Sequence, residues 1–334
     1  MKICYIYRGK RDGVISIEKV FGTISKEIEK EHDIDVIYAP DAHAKAKALL
    51  KNFFYIRKCV RMREADIYHI TGDIHYCVFA IPRKKCVLTI HDLMGLVLSH
   101  NIFKRIFLYL IWYVLPTLYC KHIVAISEKT KSDLIKYCPW VRRKISVIAD
   151  PIGPEFICCE KKFNVKKPNI LIVGTAERKN LIRLIEAVNE LECQLTIVGR
   201  IPELEKEKLV DYNIEYRNMY DVSDSELINQ YRNADIVFFA SLYEGFGMIT
   251  IEAQSIGRVV LTSNIEPHIS IAGKGACFVD PYSIVEIKNG IKKLIENERY
   301  REGLIAEGLK NAQKYTVANI ANQYIGLYFK MNNI

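Results

Sequence analysis

Two carboxylates with seven residues between them carry the sharpest chemical signal in this 334-residue chain. They are Glu244 and Glu252 in the segment SLYEGFGMITIEA (241–253), which lies between two apolar runs. Gly245 and Gly247 let the backbone turn tightly and approach a ligand, and the spacing predicts a helix from about Gly247 to Ile256. The first turn of such a helix has N–H groups without intrahelical partners, and the helix dipole adds positive character, a combination suited to a diphosphate. The carboxylates straddle that anion seat. Each can accept hydrogen bonds from hydroxyls on either side of it, a sugar on one and a ribose on the other. Without further context, Glu252 is equally an exposed residue of an ordinary helix.

Other residues fit the same chemistry. Lys179 follows an apolar strand and the Gly174 turn and opens a helix with Asn180, placing an ammonium, with Arg178 beside it, where a diphosphate needs charge. Read alone, it is a solvated loop lysine. His91 and Asp92 end the apolar strand CVLTIH (86–91), where a histidine can finish the strand and an aspartate can cap the helix that follows. Gly9 and Gly13 bracket a loop whose Lys10 and Arg11 suit an anionic acceptor. Asp33 and Asp35 have the spacing of an Asp-x-Asp metal motif. They lead straight into the strand DVIYA, however, and no other carboxylate cluster supports a divalent ion, so no metal is expected.

Elements that bring these residues together must end their strands side by side. In the first half, KICYIY (2–7), DVIYA (35–39), DIYHIT (66–71), CVLTIH (86–91), HIVAIS (122–127) and KISVIAD (144–150) are separated by intervals suited to crossover helices. The second half restarts with NILIVG (169–174), LTIVG (195–199), ADIVFFAS (234–241), VVLTS (259–263) and CFVD (277–280). Continuous apolar strands alternating with helices predict parallel sheets covered on both faces, with ligands at the carboxyl ends of the strands. A turn at Pro151 to Pro154 followed by the charged, strand-poor EKKFNVKKPN marks the domain boundary. Chain length also favours two domains over one.

Half of the residues are apolar and 26% are charged, which excludes disorder. Ten cysteines without a C-x-x-C pair read as small hydrophobes in a reducing compartment, and the start of the chain runs into a strand with no secretory pattern, so a cytoplasmic location is expected. The net charge of +9 is uneven. Residues 1–160 hold 26 Lys/Arg against 17 Asp/Glu, while residues 161–334 hold 22 of each. That surplus calls for an anionic partner of the first half. No nucleic-acid-binding motif accompanies it, so nucleic acid is not expected. The most apolar stretch, IFKRIFLYLIWYVLPTLYC (102–120), has an uncharged run of only 15 residues, interrupted by Pro116. It reads either as a buried helix or as a helix lying in a membrane interface beside Lys104 and Arg105, and is too short to span a bilayer.

Taken together, these motifs resemble the family 4 glycosyltransferases. The family's paired glutamates are matched by Glu244 and Glu252. The resemblance extends through T-I-H-D-L (89–93), V-A-I-S-E-K-T (124–130), VGTAERKN (173–180), LTIVG (195–199) and ELINQYRNADIVFFASLYEGFG (226–247). It implies an α/β chain of the GT-B fold, with two Rossmann-like parallel-sheet domains facing each other across a deep cleft. An acceptor-side domain of residues 1–158 would be completed by a C-terminal helix (317–334), and residues 165–316 would bind the nucleotide sugar. Catalytic roles are implied for His91, Lys179 and Glu244. Donor contacts are implied for Gly174, Thr175, Arg178, Lys179, Tyr220, Glu244, Gly245, Phe246, Gly247, Met248, Ile249 and Glu252, and acceptor-side contacts for Lys10, Arg11 and Asp92. Lys179 would neutralise the leaving diphosphate, His91 would position the donor sugar, and Glu252 would hold the ribose.

The chain departs from the family pattern in places. Ser270 stands where an acidic residue is usual, Tyr315 to Val317 replace an aromatic-rich motif, and Thr175–Ala176 occupy a region where some members carry arginine. The implied activity is transfer of a sugar, with retained configuration, from a nucleoside diphosphate sugar (UDP- or GDP-linked) to a glycan or polyprenyl-linked acceptor in surface polysaccharide synthesis. No metal or other cofactor is implied. The basic first half and segment 102–120 add an anionic membrane surface as a partner, with docking on the inner face of the cytoplasmic membrane. A noncatalytic nucleotide-sugar-binding protein and a sugar-nucleotide epimerase of the same architecture are the alternatives.

Overall fold

A computed structural model describes residues 1–9, 16–43, 45–97 and 101–332. Lys10, Arg11 and Gly13 lie outside the described residues. The chain divides by internal contacts into two units, Met1–Pro151 together with the helix Val317–Asn332, and Ile152–Thr316. The division falls at the Pro151 turn read from the sequence; the resemblance carries the first domain on to 158, but residues 152–159 are tied to the second unit. Ile152 N donates to Tyr315 O at 2.8 Å, Ser255 Oγ to Phe156 O at 2.6 Å, and the buried Arg258 guanidinium to Cys159 O at 3.0 Å.

The first unit is built on six parallel strands, Lys2–Tyr7 (β1), Asp33–Tyr38 (β2), Ile67–Ile70 (β3), Cys86–Ile90 (β4), His122–Ala125 (β5) and Ile145–Val147 (β6). Their order is β2-β1-β3-β4-β5-β6. All of β3 and β4 is buried, which explains their unbroken apolar character. One face of the sheet is covered by Ala46–Met62 and the turn His75–Ala80, the other by Ser16–Ile28 and Val317–Asn332. The last helix is a core element of this unit. Tyr324 and Tyr328 are fully buried, and Tyr328 Oη lies 2.6 Å from His69 Nδ1 and 3.2 Å from Tyr5 Oη.

The second unit repeats the architecture with Asn169–Val173 (β7), Gln194–Val198 (β8), Tyr216–Met219 (β9), Ile236–Phe239 (β10), Val259–Ser263 (β11) and Cys277–Val279 (β12). The order is β12-β11-β10-β7-β8-β9. Strand β9, sequence YRNM, escapes a reading based on apolar runs because it is an exposed edge strand that pairs with β8 only.

Segment 102–120 is not a core helix. It forms Ile102–Leu108 (α), Tyr109–Val114 (π) and Leu115–Tyr119 (α). Ile102, Phe103, Ile106, Phe107, Leu110, Leu115 and Leu118 are exposed, and only Tyr113, Pro116, Thr117 and Cys120 are buried. Proline has no N–H to give the carbonyl four residues back, and the wide turn lies just before Pro116. The Trp112 carbonyl so released accepts from His75 Nδ1 at 2.8 Å, and Trp112 Nε1 donates to Asp73 O at 2.5 Å. Against the sequence expectation, which counted only the 15-residue uncharged run, Ile102–Tyr119 is by length and composition the one helix among the described residues long and apolar enough to cross a membrane. It carries Lys104 and Arg105, and one side of it packs on the first unit.

Candidate active site

Strand order in the second sheet reverses at β7. The chain moves outward to β8 and β9 on one side, then returns to β10 and on to β12 on the other. The loops after β7 and β10 therefore leave in opposite directions and open a crevice at the carboxyl ends of two adjacent strands. Gly174 opens the first loop at φ +89°, and an added Cβ would come 3.3 Å from the Lys179 stem, so glycine both permits the turn and makes room for the lysine. A short turn, Glu177–Lys179, leads to Asn180 in the left-handed region. The buried Asn180 amide donates to Ala240 O at 3.0 Å and Pro281 O at 2.7 Å, and Leu242 N donates to Arg178 O at 2.8 Å. These bonds stitch the β7 loop to the β10 loop.

The stitching brings three of the predicted residues together. Glu244 Oε1 accepts from Lys179 Nζ at 2.7 Å and from Arg178 Nη1 at 2.5 Å. The Lys179 ammonium also lies 4.7 Å from the centre of the Phe239 ring. Burial pulls the Lys179 pKa below the ordinary lysine value, and Glu244 opposes that pull. Beyond Glu244, Gly247 at φ +117° turns the chain into the helix Met248–Ile256, with no side-chain cap on its first turn. The Met248 and Ile249 amides open that helix and have no carbonyl one turn back within it.

Glu252 lies further along this helix, where its Oε2 accepts from Tyr231 Oη at 2.6 Å. Tyr231 is fully buried, stands edge-on to Phe156 with centroids 5.5 Å apart, and is held well above the usual tyrosine pKa, mainly by burial. The phenol therefore stays a donor and fixes the carboxylate. Tyr231 was not among the residues expected from sequence; an internal tyrosine of an amphipathic helix reads as core packing.

The remaining predicted donor residues are placed less directly. Thr175 Oγ1 donates to Arg200 O at 2.6 Å, so its hydroxyl serves the loop. Phe246 is buried edge-on to Tyr315 at 5.8 Å, leaving its backbone as the part next to the turn. Tyr220 is exposed beyond the end of β9, where Arg200 lies 5.4 Å from its ring. His268, absent from the expected set, stands edge-on to Phe239 at 5.0 Å with Nδ1 3.0 Å from Thr262 Oγ1, and burial holds its pKa down to about 4.

In the first unit the order reverses between β1 and β3. Arg8, just after β1, is buried and reaches Glu18 at 2.8 and 3.1 Å and also Asp73, just after β3. His91 directly follows β4, with Nε2 donating to Thr71 O at 2.7 Å and Nδ1 3.8 Å from Asp150 Oδ2. Gly72, at φ +148°, admits this ring, since a Cβ there would lie 2.8 Å from His91 Cδ2. Burial works against protonation of His91, but Asp150, the Thr71 carbonyl and Asp73 together hold its pKa above the ordinary value. The imidazole nitrogens are thus turned toward protein partners. Asp92 Oδ1 accepts from Met94 N at 2.8 Å, the capping contact that the sequence allowed as one alternative.

Asp35 of the Asp-x-Asp pair accepts from Arg63 Nη1 at 2.8 Å. Among the described residues no three His, Cys, Asp or Glu side chains cluster as metal ligands would.

Comparison with known proteins bears on both units. The family model described as Glycosyltransferase Family 4 matches residues 18–156, and the one described as Glycosyl transferases group 1 matches residues 157–311. The serotype-specific mannosyltransferase WbdA of Escherichia coli is 24% identical over 224 residues, covering 60% of this chain and 28% of the relative. The O-antigen chain mannosyltransferase B of Escherichia coli is 31% identical over 229 residues, covering 62% of this chain and 60% of that protein. The chain therefore spans less than two thirds of the length of these relatives. Among solved structures, Anabaena Alr3699/HepE in complex with UDP and glucose superposes with a TM-score of 0.78 at 13% identity, over 99% of this chain and 100% of that one. Two Rossmann-like six-stranded parallel sheets, matched in turn by models that together cover residues 18–311, make the chain a member of the family 4 glycosyltransferases, with the GT-B architecture.

Proposed function

We propose that the chain transfers a glycosyl unit from a nucleoside diphosphate sugar to a glycan or polyprenyl-linked acceptor in the synthesis of a cell-surface polysaccharide. The observation that carries this reading is the convergence of Lys179, Arg178 and Glu244 beside the open end of helix Met248–Ile256. Two cations and a helix N-terminus suit a diphosphate, and a carboxylate among them suits the hydroxyls of its sugar. Glu252, fixed by Tyr231, is assigned the ribose. The UDP complexes of HepE and the mannosyltransferase names of the Escherichia coli relatives support a nucleotide-sugar donor and make UDP-glucose and GDP-mannose the first donors to try.

In the proposed reaction, charge grows on the leaving diphosphate as the glycosidic bond breaks. Lys179, Arg178 and the Met248 and Ile249 amides are assigned to meet that charge, and no metal is proposed. Attack from the same face through an oxocarbenium-like state retains configuration, with the leaving phosphate taking the acceptor proton. His91 is assigned the positioning of the donor sugar, and Asp92 either contact with the acceptor or the orientation of His91. The first unit is assigned the acceptor, with Asp92, Lys10 and Arg11 on that side. It is also assigned docking on an anionic membrane surface, a reading supported by the exposed apolar side of segment 102–119 beside Lys104 and Arg105.

Thermal melting of the protein against UDP-, GDP-, ADP- and dTDP-sugars tests the donor assignment. One nucleotide class is expected to raise the melting temperature, because a ligand that binds the folded state stabilises it by mass action. No shift with any of them contradicts the assignment.

A further inference from the structure

We infer that Glu244 is the internal counter-ion of the diphosphate seat and makes that seat prefer a sugar-bearing nucleotide to the bare nucleoside diphosphate. The inference rests on the donor-site reading above and goes further, because it assigns discrimination between substrate and spent product to one side chain.

One carboxylate oxygen, Glu244 Oε1, accepts from both cations of the seat, Arg178 Nη1 at 2.5 Å and Lys179 Nζ at 2.7 Å. The Lys179 and Glu244 side chains are only 13% and 12% exposed, and Arg178 is 28% exposed, so the arrangement is largely withdrawn from water and weakly screened. The anion that occupies the phosphate-binding cations is therefore part of the protein. An arriving diphosphate needs those same cations, and two anions cannot both hold the Lys179 ammonium without strong repulsion. The carboxylate has to give way.

What happens to the displaced carboxylate depends on the ligand. With a bare nucleoside diphosphate, Glu244 is left beside phosphate oxygens that can only accept hydrogen bonds, and it finds no new donor. With a nucleotide sugar, the sugar hydroxyls can donate to it and restore the hydrogen bonds lost with Arg178 and Lys179. Glu252 cannot discriminate in this way. It is fixed by Tyr231, and its assigned partner, the ribose, is present in both ligands.

A different role for Glu244, as a prop that holds Lys179 in place, has the opposite consequence. Removing a prop weakens every ligand of the seat, whereas removing a competing anion tightens the bare nucleotide.

Calorimetric titration of the full chain with UDP, GDP, UDP-glucose and GDP-mannose, comparing wild type with Glu244→Gln, separates the two. The amide keeps the size of the side chain and removes its charge. The variant is expected to bind UDP or GDP at least about tenfold tighter than wild type, roughly 1.4 kcal/mol. The advantage of the matching nucleotide sugar over its nucleotide should shrink accordingly. Glu244→Ala, tested in parallel, is expected to shift the nucleotide in the same direction, so the outcome does not hang on how the amide packs. Adding Lys179→Gln to Glu244→Gln is expected to abolish the gain. Unchanged or weaker nucleotide binding in both Glu244 variants, with wild type binding normally, overturns the counter-ion role and leaves the donor site standing. Absence of nucleotide binding by wild type and variants alike overturns both.

Discussion

Tyr231 offers a glycosyl donor nothing directly, yet its hydroxyl fixes the carboxylate assigned to the ribose. Tyr231→Phe removes one hydrogen bond while keeping the ring against Phe156. It is expected to weaken nucleotide and nucleotide sugar by the same factor, about fivefold for roughly 1 kcal/mol, as read by titration calorimetry. A loss confined to the sugar-bearing ligand would contradict the ribose assignment. At this scale, the residues legible in the sequence were those whose chemistry is local. Glu244, Gly247 and Glu252 share one strand-to-helix turn, and Lys179 follows Gly174 closely. What stayed hidden is set by contacts between distant segments. Arg178 and Lys179 meet Glu244 across the reversal of strand order, and His91 meets Asp150 from another strand end. Neither Asp150 nor the Thr71 carbonyl announces itself in the sequence as a neighbour of the His91 ring.

Among the elements, the strands were legible because a sheet covered on both faces demands continuous apolar runs. Edge strand β9 and the π turn before Pro116 were not, because one lacks such a run and the other is a local answer to a missing N–H. The same covered sheets bury histidines. His69 sits on β3 with its pKa pushed down to about 3, and burial holds His75 at about 4 in the first unit and His268 at about 4 in the second. A buried neutral histidine takes up no proton where the unfolded chain does. Its contribution is whole above the ordinary value of 6.5 and is lost as pH falls toward the folded value. His91 has the opposite sign, because its raised pKa contributes below 6.5 and is lost as pH rises through the folded value. Burial lowers the pKa of the half-buried His122 as well, and with four lowered against one raised the melting temperature is expected to fall between pH 7 and pH 5. Melting scans across that range check this, and a constant or rising value contradicts it.

For the whole molecule, the excess of positive charge in residues 1–160 was legible by counting, but its use was not. Arg83 Nε donates to Tyr119 O and Lys85 Nζ to Ala65 O, both at 2.7 Å, while Lys144 Nζ donates to Cys120 O at 2.8 Å, so part of this positive charge serves backbone carbonyls. Within the apolar segment, Tyr109 and Trp112 donate to Tyr137 O and Asp73 O. Phe103 and Phe107, beside Lys104 and Arg105, are exposed and are the side chains on which the proposed membrane docking rests. Sedimentation with vesicles is expected to show binding to anionic but not neutral lipid, weakened by salt and by Lys104→Glu with Arg105→Glu. Failure to bind either vesicle removes the membrane assignment and leaves the donor site untouched. In the proposed function, the β7 and β10 loops of the second unit build a seat for a nucleotide sugar around Lys179. Its most direct test is titration of UDP-glucose and GDP-mannose into wild type and Lys179→Ala. Saturable binding of one donor by wild type, weakened on the order of 100-fold in the variant, is the expected result. Equal affinity in the two proteins would contradict it.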